Sequence, residues 1–284
     1  MIIWIASYPK SGNTWVRSMI SSLIYSKNGK FDFSLLHNIP QFPKRKYFDH
    51  FTDKFNNIEE LKKHWISAQD LINLNSKINF FKTHHLNCDI ANYSFTNNEN
   101  TAAIIYIVRD PRALVSSIAN HYSKTLEDSK KFILTPRILN GNSKDLGDEN
   151  IATLLGTWSE HYKFWVHNKK YSKNLLILKY EDLVKNIEIE LDKIIEFLKN
   201  YMSVEINDIK KKNIIESTNF NNLKKLENEG HFQEAIYNKL SNKKIDFFNK
   251  GPNNDWSNSI SKEIQKDIEI AFKTEMTELK YIKN

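Results

Sequence analysis

Residues 2–15 read IIWIASYPKSGNTW, an apolar run followed by a short polar turn and the beginning of a helical pattern. The apolar run predicts a buried strand over Ile2–Ser7. Successive backbone N–H groups in the turn, with the positive end of a helix dipole behind them, form a ready anion site. Lys10 adds a mobile cation there, and Ser11 and Thr14 add hydroxyl donors. This stretch therefore predicts a phosphate-binding loop between a strand and a helix.

The lysine of this loop lies early in the turn. In the Walker A loop, G-x-x-x-x-G-K-[ST], the lysine follows the last glycine, whereas Lys10 precedes Gly12 by two positions. The sequence also shows no acidic strand-end partner for magnesium. A P-loop kinase that uses ATP and magnesium stays open as an alternative, as does an ordinary strand–turn–helix connection.

The rest of the chain alternates short apolar runs with helical patterns, which is typical of βαβ units and a parallel sheet. The predicted strands are Ile2–Ser7, Ile78–Lys82, Ala102–Val108 and Leu175–Lys179. The predicted helices are Thr14–Tyr25, Pro111–Tyr122, Ile151–His167, Asp182–Leu198 and Ser261–Lys273. Because there is no internal repeat and no clear linker, we expect a single α/β domain over residues 1–284.

The composition is that of a globular protein with excess positive charge. Lysine and arginine number 41 against 34 aspartates and glutamates, and the formal net charge of +7 favours anionic ligands. No helix-turn-helix, zinc-finger or RNA-binding signature is recognised, so we expect no specific nucleic acid partner. The single cysteine, Cys88, excludes an internal disulfide and fits a reducing, cytoplasmic location. No apolar run is long enough for a transmembrane segment.

A second candidate segment, Phe80-Phe81-Lys82-Thr83-His84-His85, ends the second predicted strand. Because side chains alternate along a strand, Lys82 and His84 lie on the same side of it. A histidine at that edge of the sheet can accept a proton from an attacking hydroxyl near neutral pH. The adjacent His85 leaves the choice of base to the register of the strand. A surface pair or a metal-site pair of histidines is the alternative interpretation.

Two further segments supply candidate anion contacts. Arg109 leaves the third predicted strand, and Ser117 follows about two helical turns later, so both can reach one phosphate. Near the C-terminus, Lys250 provides charge and Gly251 permits close backbone approach to an anion. Taken singly, these residues are also explained as polar residues at the start of a helix and as a surface turn.

Together and in this order, the four segments resemble the sulfotransferases that use 3′-phosphoadenosine 5′-phosphosulfate, especially the cytosolic type. The resemblance spans nearly the whole chain. Residues 8–15 are similar to the 5′-phosphosulfate loop, and residues 82–84 are similar to the catalytic-base motif. Residues 109–117 are similar to the 3′-phosphate element, and residues 250–256 are similar to the closing loop. Two more segments, 180–182 and 217–220, resemble family segments that line the adenine pocket.

The resemblance implies a three-layer α/β sandwich around a central parallel sheet, related to P-loop nucleotide kinases. It implies sulfonyl transfer from 3′-phosphoadenosine 5′-phosphosulfate to an acceptor hydroxyl or amine, without a metal. His84 is then the general base, Lys10 stabilises the leaving phosphate, and Lys82 holds sulfonate or phosphate oxygens. The residues implied to bind the nucleotide are Lys10, Ser11, Gly12, Asn13, Thr14, Trp15, Arg109, Ser117, Tyr180, Thr218, Phe220, Lys250 and Gly251.

Three positions depart from the family pattern. Asn249 stands where the family usually has an arginine, which removes one cation from the 3′-phosphate contact. Asn254 replaces the second glycine of the closing loop, and Leu86 stands where a proline often follows the base motif. None of these departures affects Lys10, Lys82, His84, Arg109 or Ser117, so we expect activity; a non-catalytic nucleotide-binding module stays open as an alternative function.

The sequence does not identify the acceptor. We expect the long segments Lys27–Ser76 and Ser123–Asn150 to cap the sheet and to form the acceptor pocket. We also expect Lys239–Trp256 to become ordered when nucleotide binds. The oligomeric state is not determined, and a homodimer stays open.

Overall fold

The structure, a computed structural model, describes residues 1–140, 149–232, 236–237 and 244–283. Contacts divide the chain into two compact units. The sheet unit comprises Met1–Tyr8, Ile39–Val108 and Thr135–Leu178, and the helical unit comprises Pro9–Asn38, Arg109–Leu134 and Lys179–Asn284. The expectation of one domain over the whole chain stays a prediction. Parts of two expected segments, residues 141–148 and 239–243, lie outside the described residues.

The strands, in chain order, are β1 Ile2–Ser7, β2 Asn79–Thr83, β3 Asp89–Ile90, β4 Tyr93–Ser94, β5 Thr101–Val108, β6 Arg137–Leu139, β7 Thr153–Leu155, β8 Leu175–Lys179, β9 Ile236–Tyr237 and β10 Lys244–Ile245. Four of them form the central sheet in the order β2-β1-β5-β8. The other three pairs, β3 with β4, β6 with β7 and β9 with β10, are antiparallel.

The central sheet is parallel, as the sequence predicts. Strand β1 pairs with β2 from Ile2 opposite Asn79 to Ala6 opposite Thr83. Every residue of β1 and β5 is buried, because both strands are central and apolar on both faces. The α/β class with a central parallel sheet is therefore confirmed, and the four predicted strands are shifted by at most one residue.

The α-helices, in chain order, are α1 Asn13–Tyr25, α2 Ile58–Leu61, α3 Trp65–Asn73, α4 Pro111–Tyr122, α5 Leu126–Leu134, α6 Trp158–Val166, α7 Tyr180–Lys185, α8 Ile187–Lys199, α9 Asp208–Ser217, α10 Phe220–Asn228, α11 Trp256–Ser259, α12 Lys262–Ala271 and α13 Lys273–Glu278. Short 3₁₀ helices lie at Phe33–Asn38, Arg45–Tyr47, Lys62–His64, Lys169–Asn174 and Gly251–Asn253.

Three predicted helices are wrong in detail. The predicted helix Ile151–His167 begins with strand β7, and the helix itself starts only after Thr157, whose side chain forms a capping box with Glu160. The predicted helix Asp182–Leu198 is two helices, because Asn186 has non-helical dihedral angles and its side chain caps the second one. The predicted helix Ser261–Lys273 is observed as α12, which ends at Ala271 and is followed by the short helix α13.

Each unit has its own packing. In the sheet unit, α6 packs against β1 and β5. In the helical unit, α1 packs against α9, and α4 packs against α5, α11 and α12. Within the described ranges, no helix is both long enough and apolar enough to cross a membrane.

Candidate active site

The turn between β1 and α1 has the backbone of an anion-binding loop. Lys10 has φ 69° and Gly12 has φ 100°, so two residues of the turn adopt the left-handed conformation. A β-carbon at Gly12 would lie 2.7 Å from the Tyr180 ring, which makes glycine a requirement there. The first turn of α1 has neither a side-chain cap nor an acidic residue. Its N–H groups and the positive helix end therefore suit an anionic ligand.

The buried donors of the helical unit that have no hydrogen-bond partner among the described residues include the Ser11 hydroxyl, the Trp15 indole N–H and the Nε of Arg109. Buried polar atoms in folded proteins are usually paired, so unpaired donors call for an explanation. Ser11 and Trp15 flank the uncapped start of α1, which places these donors where the sequence predicts the phosphate.

Arg109 connects the predicted 5′- and 3′-phosphate segments within the helical unit. Its Nη1 donates to the Lys10 carbonyl over 3.2 Å and to the Ser117 hydroxyl over 3.4 Å. Its guanidinium lies 3.9 Å from the centre of the Tyr180 ring, and that ring contacts Trp15 edge-on at 5.7 Å. The structure thus brings together five of the predicted nucleotide-binding residues.

The Lys10 ammonium lies against two residues that the sequence did not suggest. It is 3.3 Å from Nδ1 of His121 and 3.6 Å from the centre of the Phe247 ring. Because an ammonium can only donate, Nδ1 of His121 accepts, and the imidazole is neutral in this arrangement. His121 lies in α4 and Phe247 lies more than 120 residues further along the chain, so no local pattern reveals these contacts.

Asn254, one of the departures from the family pattern, also lies at the predicted 3′-phosphate element. Its Nδ2 donates to the Ala113 carbonyl over 2.8 Å and to the Ser117 hydroxyl over 3.4 Å. Its Oδ1 accepts from the Ser116 hydroxyl at 2.9 Å. The carboxamide that replaces the glycine therefore fastens the closing segment to helix α4.

The remaining residues that are predicted to bind the nucleotide contact other residues of the helical unit. A β-carbon at Gly251 (φ 52°) would overlap the ring of Phe220, so the close approach permitted by this glycine is to that ring. The exposed ammonium of Lys250 donates to the Ser259 hydroxyl over 3.1 Å. Thr218 is fully buried and donates to the Ile214 carbonyl. Asn13 and Thr14 are buried at the start of α1.

A partly buried ionic network anchors the start of α4, and the sequence analysis missed it. Arg112 pairs with Asp110 over 2.6 Å and with Glu269 over 2.5 Å, across 157 residues. Glu181 accepts from the Asp110 backbone N–H and from the Tyr281 hydroxyl. Burial raises the pKa of the Glu181 carboxyl above its ordinary value. This network holds the residues next to Arg109 in place.

In the sheet unit, the predicted base follows the end of β2. His84 is half-buried, and its Nδ1 lies 2.7 Å from the Ser7 carbonyl oxygen. A carbonyl can only accept, so Nδ1 carries the hydrogen, and Nε2 of the neutral ring carries the lone pair. Lys82 is buried in β2. Its backbone N–H donates to the Pro40 carbonyl, and its carbonyl accepts from the backbone N–H of Phe42.

Two other histidines of the sheet unit are fully buried. His85 stacks on Phe95 with ring centres 4.2 Å apart, and its Nδ1 donates to the Leu86 carbonyl. His161 lies between the Tyr106 hydroxyl and the His84 carbonyl. Burial lowers the pKa of His85 and of His161 to about 3. Of the adjacent pair, His84 alone is partly exposed.

The sequence matches the family model of the sulfotransferase domain over residues 2–280. It is 25% identical over 284 residues to an amine sulfotransferase of Oryctolagus cuniculus, covering 99% of this chain and 83% of that protein. It is 26% identical over 287 residues to sulfotransferase 1B1 of Canis lupus familiaris, covering 97% and 83%.

Two solved structures share the fold. Mouse sulfotransferase SULT7A1 complexed with PAP has 22% sequence identity and a TM-score of 0.58, with 96% of this chain and 84% of that chain covered. Retinol dehydratase in complex with androsterone and inactive cofactor PAP has 17% identity and a TM-score of 0.62, with 97% and 80% covered. These likenesses confirm the expected P-loop-kinase-like fold.

Proposed function

The chain belongs to the sulfotransferase family, and we propose that it transfers a sulfonyl group from 3′-phosphoadenosine 5′-phosphosulfate to a hydroxyl or amine of an acceptor. Solved relatives with PAP, the desulfonated donor, and the enzymes named among the curated relatives support this choice of donor. The observation that carries the proposal is the β1–α1 turn. It combines left-handed Lys10 and Gly12, an uncapped helix start and the unpaired Ser11 hydroxyl.

The helical unit holds the groups that fit the nucleotide. Among the described residues, the Ser11 hydroxyl and the Trp15 indole N–H have no hydrogen-bond partner. Arg109 donates to Lys10 and Ser117 through Nη1, and its Nε–H has no partner. The 5′-phosphosulfate end binds at the turn, and the 3′-phosphate binds at Arg109 and Ser117. The ring of Tyr180 supports the Arg109 guanidinium from one face, which fixes the direction of its donors.

Donor binding supplies an electrophilic sulfur whose bond to the 5′-phosphate oxygen is broken in the reaction. The acceptor oxygen or nitrogen forms the new bond to sulfur and gives up a proton. Negative charge develops on the departing 5′-phosphate oxygen, and the Lys10 ammonium stabilises it more strongly in the transition state than in the ground state. To do so, the ammonium must leave the His121 nitrogen and the Phe247 ring.

His84 takes the acceptor proton on Nε2. The hydrogen bond from Nδ1 to the Ser7 carbonyl supports this role, because it fixes the tautomer and the direction of the ring. His85 is unsuited, since it is fully buried and its pKa is lowered to about 3 by burial. Lys82 is assigned to a sulfonate or phosphate oxygen, as in the related motif.

The acceptor is an amine or an alcohol by the family relationship. Curated relatives include an amine sulfotransferase and a 3-alpha-hydroxysteroid sulfotransferase of Cavia porcellus, which is 25% identical over 255 residues. A panel of primary amines, phenols and hydroxysteroids therefore covers the chemistry to be tested first. The chain is assigned to the cytoplasm by the same relationship.

A transfer assay with ³⁵S-labelled donor on this panel tests the proposal. We expect label in at least one acceptor, with equal rates in excess EDTA and in magnesium, because the protein's lysines supply the positive charge. Transfer from γ-labelled ATP that requires magnesium would instead indicate a kinase. Tight donor binding without turnover on any acceptor would indicate a nucleotide-binding module.

A further inference from the structure

Two side chains of helix α6 hold the backbone on which His84 lies. Nε2 of His161 donates to the His84 carbonyl over 3.3 Å, and Nε1 of Trp165 donates to the His85 carbonyl over 2.9 Å. His161 and Trp165 are four residues apart, so they lie one above the other on the same face of the helix. One rigid helix thus contacts two successive carbonyls.

These carbonyls follow the last paired residue of strand β2 in the central sheet. The parallel pairing of β1 with β2 ends at Ala6 opposite Thr83, so residues 84 and 85 lie beyond the ladder. A buried carbonyl needs another donor when the ladder ends. Helix α6 supplies both donors, and it packs against β1, whose last carbonyl, that of Ser7, orients the His84 ring.

The hydrogen on His161 is itself fixed by the surroundings. The carbonyl of His84 can only accept, so Nε2 carries the hydrogen and Nδ1 carries the lone pair. The buried Tyr106 hydroxyl lies 2.9 Å from Nδ1 and donates to it. Burial lowers the pKa of His161 to about 3, so the ring stays neutral with its one N–H directed at His84.

We propose that His161 and Trp165 are positioning residues for the base, which they hold through the backbone of residues 84 and 85. This inference rests on the proposed role of His84. A base acts only when its lone pair lies within hydrogen-bond reach of the acceptor proton, and a misplacement of about 1 Å costs up to roughly 10²-fold in rate. Loss of either donor should therefore lower kcat, while KM for the donor nucleotide stays unchanged.

The chain offers a matched control for Trp165. Trp4 is also fully buried, and its indole N–H also makes one internal hydrogen bond, to the Thr101 hydroxyl over 3.0 Å. Trp165→Phe and Trp4→Phe therefore remove the same group from equally buried sites. We expect kcat about tenfold lower in Trp165→Phe and within twofold of the unmutated enzyme in Trp4→Phe, with similar losses in unfolding temperature.

The second pair of variants changes His161. His161→Phe removes the donor, whereas His161→Gln restores an N–H near the same position. We expect His161→Phe to lower kcat at least tenfold and His161→Gln to recover most of it. Should His161→Phe fail to fold, the comparison of the two tryptophan variants still decides the matter.

The outcomes separate this inference from the base assignment. If His84→Ala is inactive while Trp165→Phe and Trp4→Phe have equal kcat, the positioning role is wrong and the base assignment survives. A raised KM for the donor with unchanged kcat in Trp165→Phe also contradicts the positioning role. If His84→Ala keeps normal turnover, the base assignment itself fails, and the positioning role fails with it.

Discussion

The backbone carbonyls at His84 and His85 in the sheet unit differ from the buried side-chain donors at the β1–α1 turn of the helical unit in how they are paired. The carbonyls of His84 and His85 each accept from a buried side chain, and the His84 ring bonds to the Ser7 carbonyl. At the turn, by contrast, the Ser11 hydroxyl and the Trp15 indole have no partner among the described residues.

This difference fits the roles that we propose for the two regions. A group that transfers a proton must be held in place before the acceptor arrives, and bonds within the protein hold both the His84 ring and its backbone carbonyl. A loop that binds a phosphate keeps donors for the ligand, and its buried donors are paired only in the complex. Changes near His84 should therefore affect turnover, and changes near the turn should affect donor binding as well.

The largest expected effect is that of His84→Ala. General base catalysis contributes about 10²–10⁴-fold, so kcat should fall by that factor while donor affinity stays within twofold. Steady-state transfer rates and calorimetric titration of the donor measure the two quantities. His167→Ala, which changes an exposed histidine of the same unit, is the control and should leave both unchanged. Normal turnover in a folded His84→Ala protein would show that the base lies elsewhere.

Lys10→Ala should reduce turnover by about 10²–10³-fold, because one electrostatic contact to the developing charge is lost. The partly exposed side chain contributes little to packing, so the unfolding temperature should barely change. Lys185→Ala, which removes an exposed lysine of the same unit, is the matched control. Equal rates in the two folded variants would remove the phosphate-loop assignment.

Removal of the donor's 3′-phosphate should have a smaller effect. Charge-assisted hydrogen bonds are each worth roughly 1.5–3 kcal/mol, and about 1.4 kcal/mol is tenfold in affinity. Adenosine 5′-phosphosulfate should therefore bind at least tens-fold more weakly than the 3′-phosphorylated donor, despite Asn249 in place of arginine. Arg109→Ala should bring the affinities of the two nucleotides closer together, because it weakens the binding of the 3′-phosphorylated donor alone. Equal affinities of the two nucleotides for the unmutated protein would refute a 3′-phosphate site at Arg109 and Ser117.

The last prediction concerns the stability of the sheet unit in acid rather than binding or turnover. His85 and His161 have pKa values of about 3 in the folded chain, against an ordinary value of 6.5. Between these values the unfolded chain binds protons that the folded chain does not, so the free energy of unfolding falls as pH falls from about 6.5 towards 3. Each histidine contributes up to about tenfold in the unfolding equilibrium constant per pH unit.

Denaturant titrations between pH 7 and pH 4 check this dependence, with His161→Gln as the informative variant. The glutamine cannot titrate, so the acid loss of stability should be shallower than in the unmutated protein. An identical slope in both proteins would mean that His161 is protonated in the folded state.

Local signals in the sequence suffice for the central strands and for the backbone of the β1–α1 turn. The apolar residues 2–6, the early Lys10 and the Gly12 that precedes α1 are contiguous, so their structure follows from neighbours in the chain. The wrong start of α6 also had a local signal, since Thr157 and Glu160 form a capping box that the sequence analysis passed over. The periodicity of the apolar residues, taken alone, predicts a helix that continues through Gly156.

The contacts that the sequence analysis missed join residues far apart in the chain. His121 lies 111 residues from Lys10, and Asn254 lies 137 residues from Ser117. Their positions follow from tertiary packing, which periodicity and short motifs do not encode. The resemblance to a family identified Asn254 as a departure, but only the structure places its carboxamide on Ser117.

The division of work between the two regions is tested most directly by calorimetric titration of 3′-phosphoadenosine 5′-phosphate into three proteins. These are the unmutated chain, Arg109→Ala and His84→Ala, each checked for folding by thermal unfolding. We predict that His84→Ala binds within twofold of the unmutated chain and that Arg109→Ala binds at least tens-fold more weakly. Equal weakening in both variants, or none in Arg109→Ala, would contradict the account.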